Sequence, residues 1–88
     1  MPTIPPSKVR EFDAATVEKI AYNSVKGIPT REPNDRNRLG YNIWLLLKDK
    51  QGSIEQAIKN SGARMLISEK DAALLIRQEL QKSGIATV

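Results

Sequence analysis

The segment from Arg31 to Arg38 holds the residue types best suited to chemistry, because it places three arginines around the start of a predicted helix. If this helix begins near Asp35, Arg36 and Arg38 lie in its first turn, where positive charge opposes the helix dipole. A bound anion would turn that conflict into an attraction, since guanidinium groups and free backbone N–H groups would converge on it. The segment therefore predicts an anion site, whose ligand is a nucleic-acid phosphate or a carboxylate of an acidic protein partner.

The same pattern has a simpler interpretation, in which Arg36 and Arg38 are solvated or paired with Glu32 and Asp35 of the chain itself. The phosphate interpretation extends to basic residues farther along the chain if the last helix lies on the same side of the domain. The predicted nucleic-acid-binding residues are then Arg31, Arg36, Arg38, Arg64, Arg77 and Lys82.

The overall charge is compatible with nucleic acid but does not require it. The chain has 14 basic and 10 acidic residues, a formal net charge of +4, and its two halves are equally basic, so no basic tail exists. Single-stranded binding relies on aromatic stacking, and no aromatic residue stands within the arginine segment. Binding to the backbone of a DNA duplex needs only charge and helix ends, and it is the favoured form.

A second candidate site consists of Tyr41, Trp44 and Leu45, which widen the apolar surface of the second helix beyond one stripe. A lone tryptophan in a small domain is usually part of the core. Tryptophan and tyrosine are also favoured anchors of protein interfaces. The alternative function is therefore a protein-interaction module, or a small structural or inhibitory subunit, whose partner is another protein or a second copy forming a homodimer.

The sequence contains few residues suited to catalysis. The sequence has no cysteine and no histidine, which removes thiolate nucleophiles, imidazole bases and Cys/His zinc sites. The acidic residues are scattered, and no glycine-rich phosphate loop or calcium-binding loop is present. We predict a non-enzymatic protein with no catalytic residue, no metal and no cofactor.

These candidate residues must be positioned by helices, whose ends the sequence marks. Asp13 is the predicted N-cap of a first helix over residues 14–26, and Phe12 and Val17 have the spacing of a hydrophobic staple. Gly27 is predicted to end this helix in a left-handed conformation. Asn34 or Asp35 is the predicted cap of a second helix that runs to about Lys50.

Two further helices are predicted in the second half of the chain. Ser53 begins a capping box for a two-turn helix that stops at Gly62. Ser68 caps a last helix over residues 69–83, after which Gly84 and Ile85 have the pattern of a Schellman motif. Residues 53–82 have the order of a helix-turn-helix, but the long connector and the acidic first turn of the last helix favour a plain helical hairpin.

The predicted fold is all-α, a small single-domain bundle of about four helices over residues 13–88. Residues 1–12, rich in proline, are predicted to form a flexible extended arm. A minimal β pairing of residues 65–67 with 85–88 is an alternative within this fold. The longest apolar run has five residues, whereas a membrane span needs about 20, and no secretory signal begins the chain. We therefore expect a cytoplasmic protein without membrane contact. From the arginine segment, the favoured function is that of a small DNA-binding regulator.

Overall fold

The computed structural model of the protein describes residues 12–49 and 51–85. Their helices are α1 (Ala14–Ser24), α2 (Pro33–Asp49), α3 (Ile54–Ser61) and α4 (Glu69–Lys82). The fold is an all-α bundle of four helices, as predicted. None of these helices has the length and apolar character needed to cross a bilayer. The predicted arm, residues 1–12, lies outside the described residues except for Phe12.

Helix α1 begins as predicted and ends two residues early. The Asp13 carboxylate accepts a hydrogen bond from the Thr16 N–H at 2.7 Å. At the other end, the N–H groups of Val25 and Lys26 donate to carbonyls three residues back. These tighter bonds finish the helix without a left-handed residue, since Gly27 is not among the glycines with positive φ. The predicted role of Gly27 as a left-handed cap is therefore wrong.

Helix α2 begins at Pro33, ahead of the predicted caps Asn34 and Asp35. Proline suits the first helical position because its missing N–H would have no partner within the helix. Asp35 stands two residues farther on, and its carboxylate accepts a hydrogen bond from the Glu32 N–H at 3.2 Å. Asp35 thus closes the helix start from inside the first turn, as the acidic residue of a capping box does.

Helices α3 and α4 have the predicted caps. The Ser53 hydroxyl accepts from the Gln56 N–H at 3.1 Å, and the Ser68 hydroxyl accepts from the N–H three residues on, also at 3.1 Å. After α4, Gly84 adopts a φ of 90°. The Ile85 N–H then donates to the carbonyl of Leu80 at 2.9 Å, which completes the predicted Schellman motif.

The four helices enclose one apolar core. Helix α2 packs against α1 and α3, and α4 packs against the same two helices. Helix α1 contributes Val17 and Ala21 to this core. The largest fully buried apolar side chains come from the other three helices and from the segments that follow α1 and α4: Val25, Ile28, Leu39, Ile43, Leu47, Ile54, Ile58, Ile76, Leu80 and Ile85.

The α1–α2 loop and the α3–α4 connector are joined by backbone hydrogen bonds. Thr30 and Met65 form an isolated antiparallel bridge. On either side of it, the Arg31 N–H donates to the Arg64 carbonyl at 3.0 Å and the Leu66 N–H donates to the Pro29 carbonyl at 2.9 Å.

The β pairing considered for residues 65–67 with 85–88 therefore has a different partner for Met65. Thr30 takes that place, while Ile85 is buried in the core. Residues 86–88 lie outside the described residues.

Candidate functional site

The start of α2 is organised around the buried carboxylate of Asp35. This residue is completely inaccessible to solvent, and it accepts hydrogen bonds from two backbone N–H groups, those of Glu32 at 3.2 Å and Arg64 at 3.3 Å. The Arg64 guanidinium adds a contact from Nε at 3.3 Å and one from Nη2 at 3.2 Å. Arg38 forms a further ion pair with the same carboxylate. Asp35 is thus a buried charge whose oxygens are fully partnered.

The surroundings of Asp35 favour its ionised form. Burial alone raises the pKa of the carboxyl, but the hydrogen bonds from Arg64 and the charges of Arg64 and Arg38 outweigh burial and hold the pKa below its ordinary value. Hydrogen bonding to Asp35 and its negative charge in turn raise the pKa of the Arg64 guanidinium. Asp35 is therefore ionised at neutral pH, despite being buried.

Two arginines of the predicted anion site also donate to backbone carbonyls. The Nε of Arg36 donates to the Ile28 carbonyl at 3.1 Å, and the Nε of Arg38 donates to the Ser61 carbonyl at 3.3 Å. Arg36 therefore ties α2 to the preceding loop, and Arg38 ties it to the end of α3. Arg31 is exposed just before the helix.

The remaining predicted basic residues are dispersed. Arg64 joins the group around Asp35 and also contacts the Glu32 carboxylate at 3.2 Å. Arg77 pairs with Glu55 at 3.2 Å, between α4 and α3, and Lys82 pairs with a glutamate one turn earlier in α4. No ion pair between described residues connects Arg77 or Lys82 with the Asp35 group.

This arrangement answers the electrostatic conflict that the sequence raised at the start of α2. Because α2 begins at Pro33, Arg36 and Arg38 are its fourth and sixth residues. The anion beside Arg38 is the carboxylate of Asp35. For Arg38, the structure therefore agrees with the simpler of the two interpretations, in which the arginine pairs with a carboxylate of the chain itself. The contacts around Asp35 thus explain Arg38 and Arg64 without a phosphate, and binding of nucleic acid by the predicted set stays a prediction.

A polar groove of about 430 Å³ lies beside this network, between α2 and α3. Four of the five asparagines of the chain line it, although sequence analysis did not select any of them. The groove is lined by Asn34, Asn37, Arg38, Tyr41, Asn42, Asn60 and Ser61. No carboxylate is among these residues, so the groove offers amide donors and acceptors, one aromatic ring and one cation.

Helix α2 positions the groove residues by its periodicity. Asn34, Asn37, Arg38 and Tyr41 follow one another at steps of three, one and three residues, which places them on one face. The Tyr41 side chain is 47% exposed, and the Arg38 side chain is also 47% exposed. Because Arg38 is held from behind by Asp35 and Ser61, its guanidinium has a fixed place at the groove.

The predicted protein-interface residues divide between two surfaces. The rings of Tyr41 and Trp44 lie 5.8 Å apart, and the Lys48 ammonium stands 4.9 Å from the centre of the Trp44 ring. Trp44 is partly buried against the core. Leu45, by contrast, lines a hollow of about 360 Å³ between α2 and α3, which adjoins the polar groove and shares Asn42 and Asn60 with it. Adjacent helical residues point about 100° apart, which separates Leu45 from Trp44.

Trp44 also lines an apolar groove of about 220 Å³ where α2 meets the start of α1. The other lining residues are Phe12, Ala14, Val17 and Lys48. Sequence analysis identified Phe12 and Val17 as a hydrophobic staple, and their shared groove places them together as that motif requires. The staple therefore forms one wall of a surface feature as well as fixing the entry into α1.

Within residues 12–49 and 51–85, no three carboxylate side chains cluster so as to hold a metal ion. The chain matches no protein-family model, no curated protein and no solved structure.

Proposed function

We propose that the protein is a non-enzymatic nucleic-acid-binding regulator that holds a single strand in the polar groove between α2 and α3. The observation that carries this proposal is the concentration of four asparagines, an arginine and an exposed tyrosine in one groove without a carboxylate. Amides hydrogen-bond to base edges in both directions, while arginine contacts phosphate and tyrosine stacks on a base.

Two of the four groove asparagines, Asn34 and Asn37, take part in no side-chain hydrogen bond within the described residues, whereas Asn60 accepts from Nε2 of Gln56 at 3.0 Å. Asn34, Asn37 and Asn42 lie within α2, where asparagine is less favourable than alanine by up to about 0.7 kcal/mol. Asn42 donates to the Arg38 carbonyl one turn earlier at 2.9 Å. Asn34 and Asn37 are exposed. Residues that weaken a helix are gathered here on one of its faces. This favours a role in binding a ligand over a role in stability.

Tyr41 supplies the stacking surface that single-stranded binding needs. The sequence argument against a single strand was that the arginine segment contains no aromatic residue. On α2, however, Tyr41 lies one helical turn after Arg38 and lines the same groove. Stacking of a base on an aromatic side chain contributes about 1–3 kcal/mol, so this one ring supports a substantial part of the affinity.

The charge of the site favours a weak dependence on salt. Arg38 lines the groove, and buried Asp35 offsets part of its charge. Arg31 is exposed just before α2 and is the next cation along the chain. We therefore expect contact with only one or two phosphates. Each phosphate contributes a slope of about −0.7 to the dependence of log K on log salt for single strands.

Fluorescence anisotropy with a labelled DNA oligonucleotide tests the proposal. The same sequence is measured as a single strand, as a duplex and as RNA, each at low and at moderate salt. We expect the single strand to bind more tightly than the duplex, with a salt slope of about −0.7 to −1.4. The RNA arm distinguishes the two chemical sources of a single strand. Tighter binding of the duplex, or no binding of any strand at low salt, contradicts the proposal.

Matched variants locate the site. Tyr41→Ala should weaken single-strand binding by about 5- to 100-fold through lost stacking, and Asn37→Ala should weaken it less. Asn23→Ala is the control, because Asn23 is an exposed asparagine on α1 and does not line the groove. Equal effects of Asn23→Ala and Asn37→Ala would place the binding surface elsewhere.

A further inference from the structure

We propose that the apolar groove beside Trp44 binds a short acidic segment of a partner protein, which inserts one apolar side chain and sets a carboxylate against Lys48. This inference does not depend on nucleic-acid binding, because the groove lies at the junction of α1 and α2 and shares no lining residue with the polar groove.

The walls of the groove are set by the fold. Phe12 and Val17 are held by the staple at the start of α1, and Trp44 packs against the core from α2. The ring of Phe12 also reaches the turn after α4, where a Cβ placed on Gly84 would lie 3.7 Å from its Cζ. Ala14, with its small side chain, leaves the space between these walls open. The groove is therefore already formed before a partner arrives.

The size of the groove fits one side chain. Its volume of about 220 Å³ is below the range of roughly 300–1,000 Å³ typical of small-molecule sites. Protein interfaces commonly depend on a few aromatic or apolar anchors that fill pockets of this kind. A leucine-sized side chain from a partner would contact Trp44, Phe12 and Val17 together.

The charge at the rim identifies the partner as acidic. Lys48 is the one charged residue among the five that line the groove. Its ammonium lies over the Trp44 ring, 4.9 Å from the centroid, so it stands directly beside the place of the inserted side chain. A carboxylate next to the anchor would therefore meet a fixed cation. The net charge of +4 on the whole chain adds to this attraction.

Trp44 itself reports binding, because it is the only tryptophan in the chain. The probe is a short synthetic peptide without aromatic residues that carries one leucine flanked by aspartates. We expect a saturable change in Trp44 emission on titration. Replacing the leucine of the peptide with alanine, or its aspartates with lysines, should each weaken binding at least about fivefold. Equal binding of all three peptides overturns the proposal.

Variants of the protein test the groove without removing its aromatic walls. Ala14→Leu fills the groove and should weaken peptide binding at least about tenfold, whereas Ala15→Leu should not change it. Ala15 is the exposed neighbour of Ala14 in α1 and does not line the groove. Because leucine is nearly as good a helix former as alanine, both variants should fold. If Ala14→Leu binds as tightly as the wild type, the proposal is wrong.

The cation is tested separately. Lys48→Gln should weaken peptide binding by about two- to fivefold and reduce its dependence on salt, while Lys70→Gln on α4 should leave both unchanged. Sedimentation of the protein alone completes the test. Self-association that changes Trp44 emission without peptide would identify a second copy as the occupant and overturn the proposal of an acidic partner.

Discussion

Arg38 pairs with the buried carboxylate of Asp35, one helical turn before it in α2. The same carboxylate also accepts a hydrogen bond from Arg64, which lies 29 residues farther along the chain. The start of α2 is thus attached to the α3–α4 connector through one ionised group. The stability of this corner depends on Asp35 keeping its charge.

Asp35→Asn should lower the thermal midpoint, because the amide keeps the size of the side chain and loses the charge-assisted hydrogen bonds. We expect a decrease of about 6–20 °C, measured by circular dichroism. Asp71→Asn is the matched control, since Asp71 holds the same third position in α4 and is exposed. If both variants lowered the midpoint equally, a general effect of charge at helix starts would explain the loss.

The pH dependence of stability should carry the same signature. The folded-state pKa of Asp35 is lowered below its ordinary value of 3.8, so the unfolded chain takes up the proton first as pH falls. Ionised Asp35 therefore contributes fully to the free energy of unfolding at pH values above its unfolded-state pKa. This contribution is lost as the pH drops through the folded-state pKa. In urea unfolding, the difference between wild type and Asp35→Asn should shrink from about pH 5 to about pH 2. A difference that stays constant over this range would contradict the role of the charge.

Gly40→Ala should destabilise the protein, although alanine is normally the better helix former. A Cβ on Gly40 would lie 2.5 Å from Cδ1 of the Tyr22 ring, so either the ring or the two helices would have to shift. Overpacking of this kind costs about 1–3 kcal/mol in the free energy of unfolding. Gly27→Ala is the control, because nothing lies within 4 Å of its Cβ position; it should stabilise by about 0.4–1 kcal/mol. Gly40→Ala at or above wild-type stability would show that Tyr22 yields easily.

Local signals in the sequence predicted most of the helix ends. Asp13, Ser53 and Ser68 cap through their own side chains, and their partners stand three residues away. The errors arose where two signals competed. At the start of α2, the helix begins at Pro33 and not after Asn34. At the end of α1, hydrogen bonds to carbonyls three residues back end the helix in place of a glycine cap.

The candidate sites were harder to predict because they join residues distant in the chain. The partner of Asp35 in the connector, Arg64, has no sequence signal that links it to α2. The polar groove likewise needs Asn60 from α3 beside the asparagines of α2. The asparagines at positions 37 and 42 were visible as poor helix formers within a predicted helix, and that anomaly was the available signal.

The bridge between Thr30 and Met65 should slow hydrogen exchange of the amides around it, as pairing in a sheet does. The amide protons of Arg31 and Leu66 are donated across it, and that of Arg64 is donated to Asp35. Loop amides usually exchange with solvent through small local openings. We expect the amides of Arg31 and Leu66 to be exposed when the two segments separate, and that of Arg64 when the connector leaves Asp35 of α2. We therefore expect the α1–α2 loop and the α3–α4 connector to open as one unit.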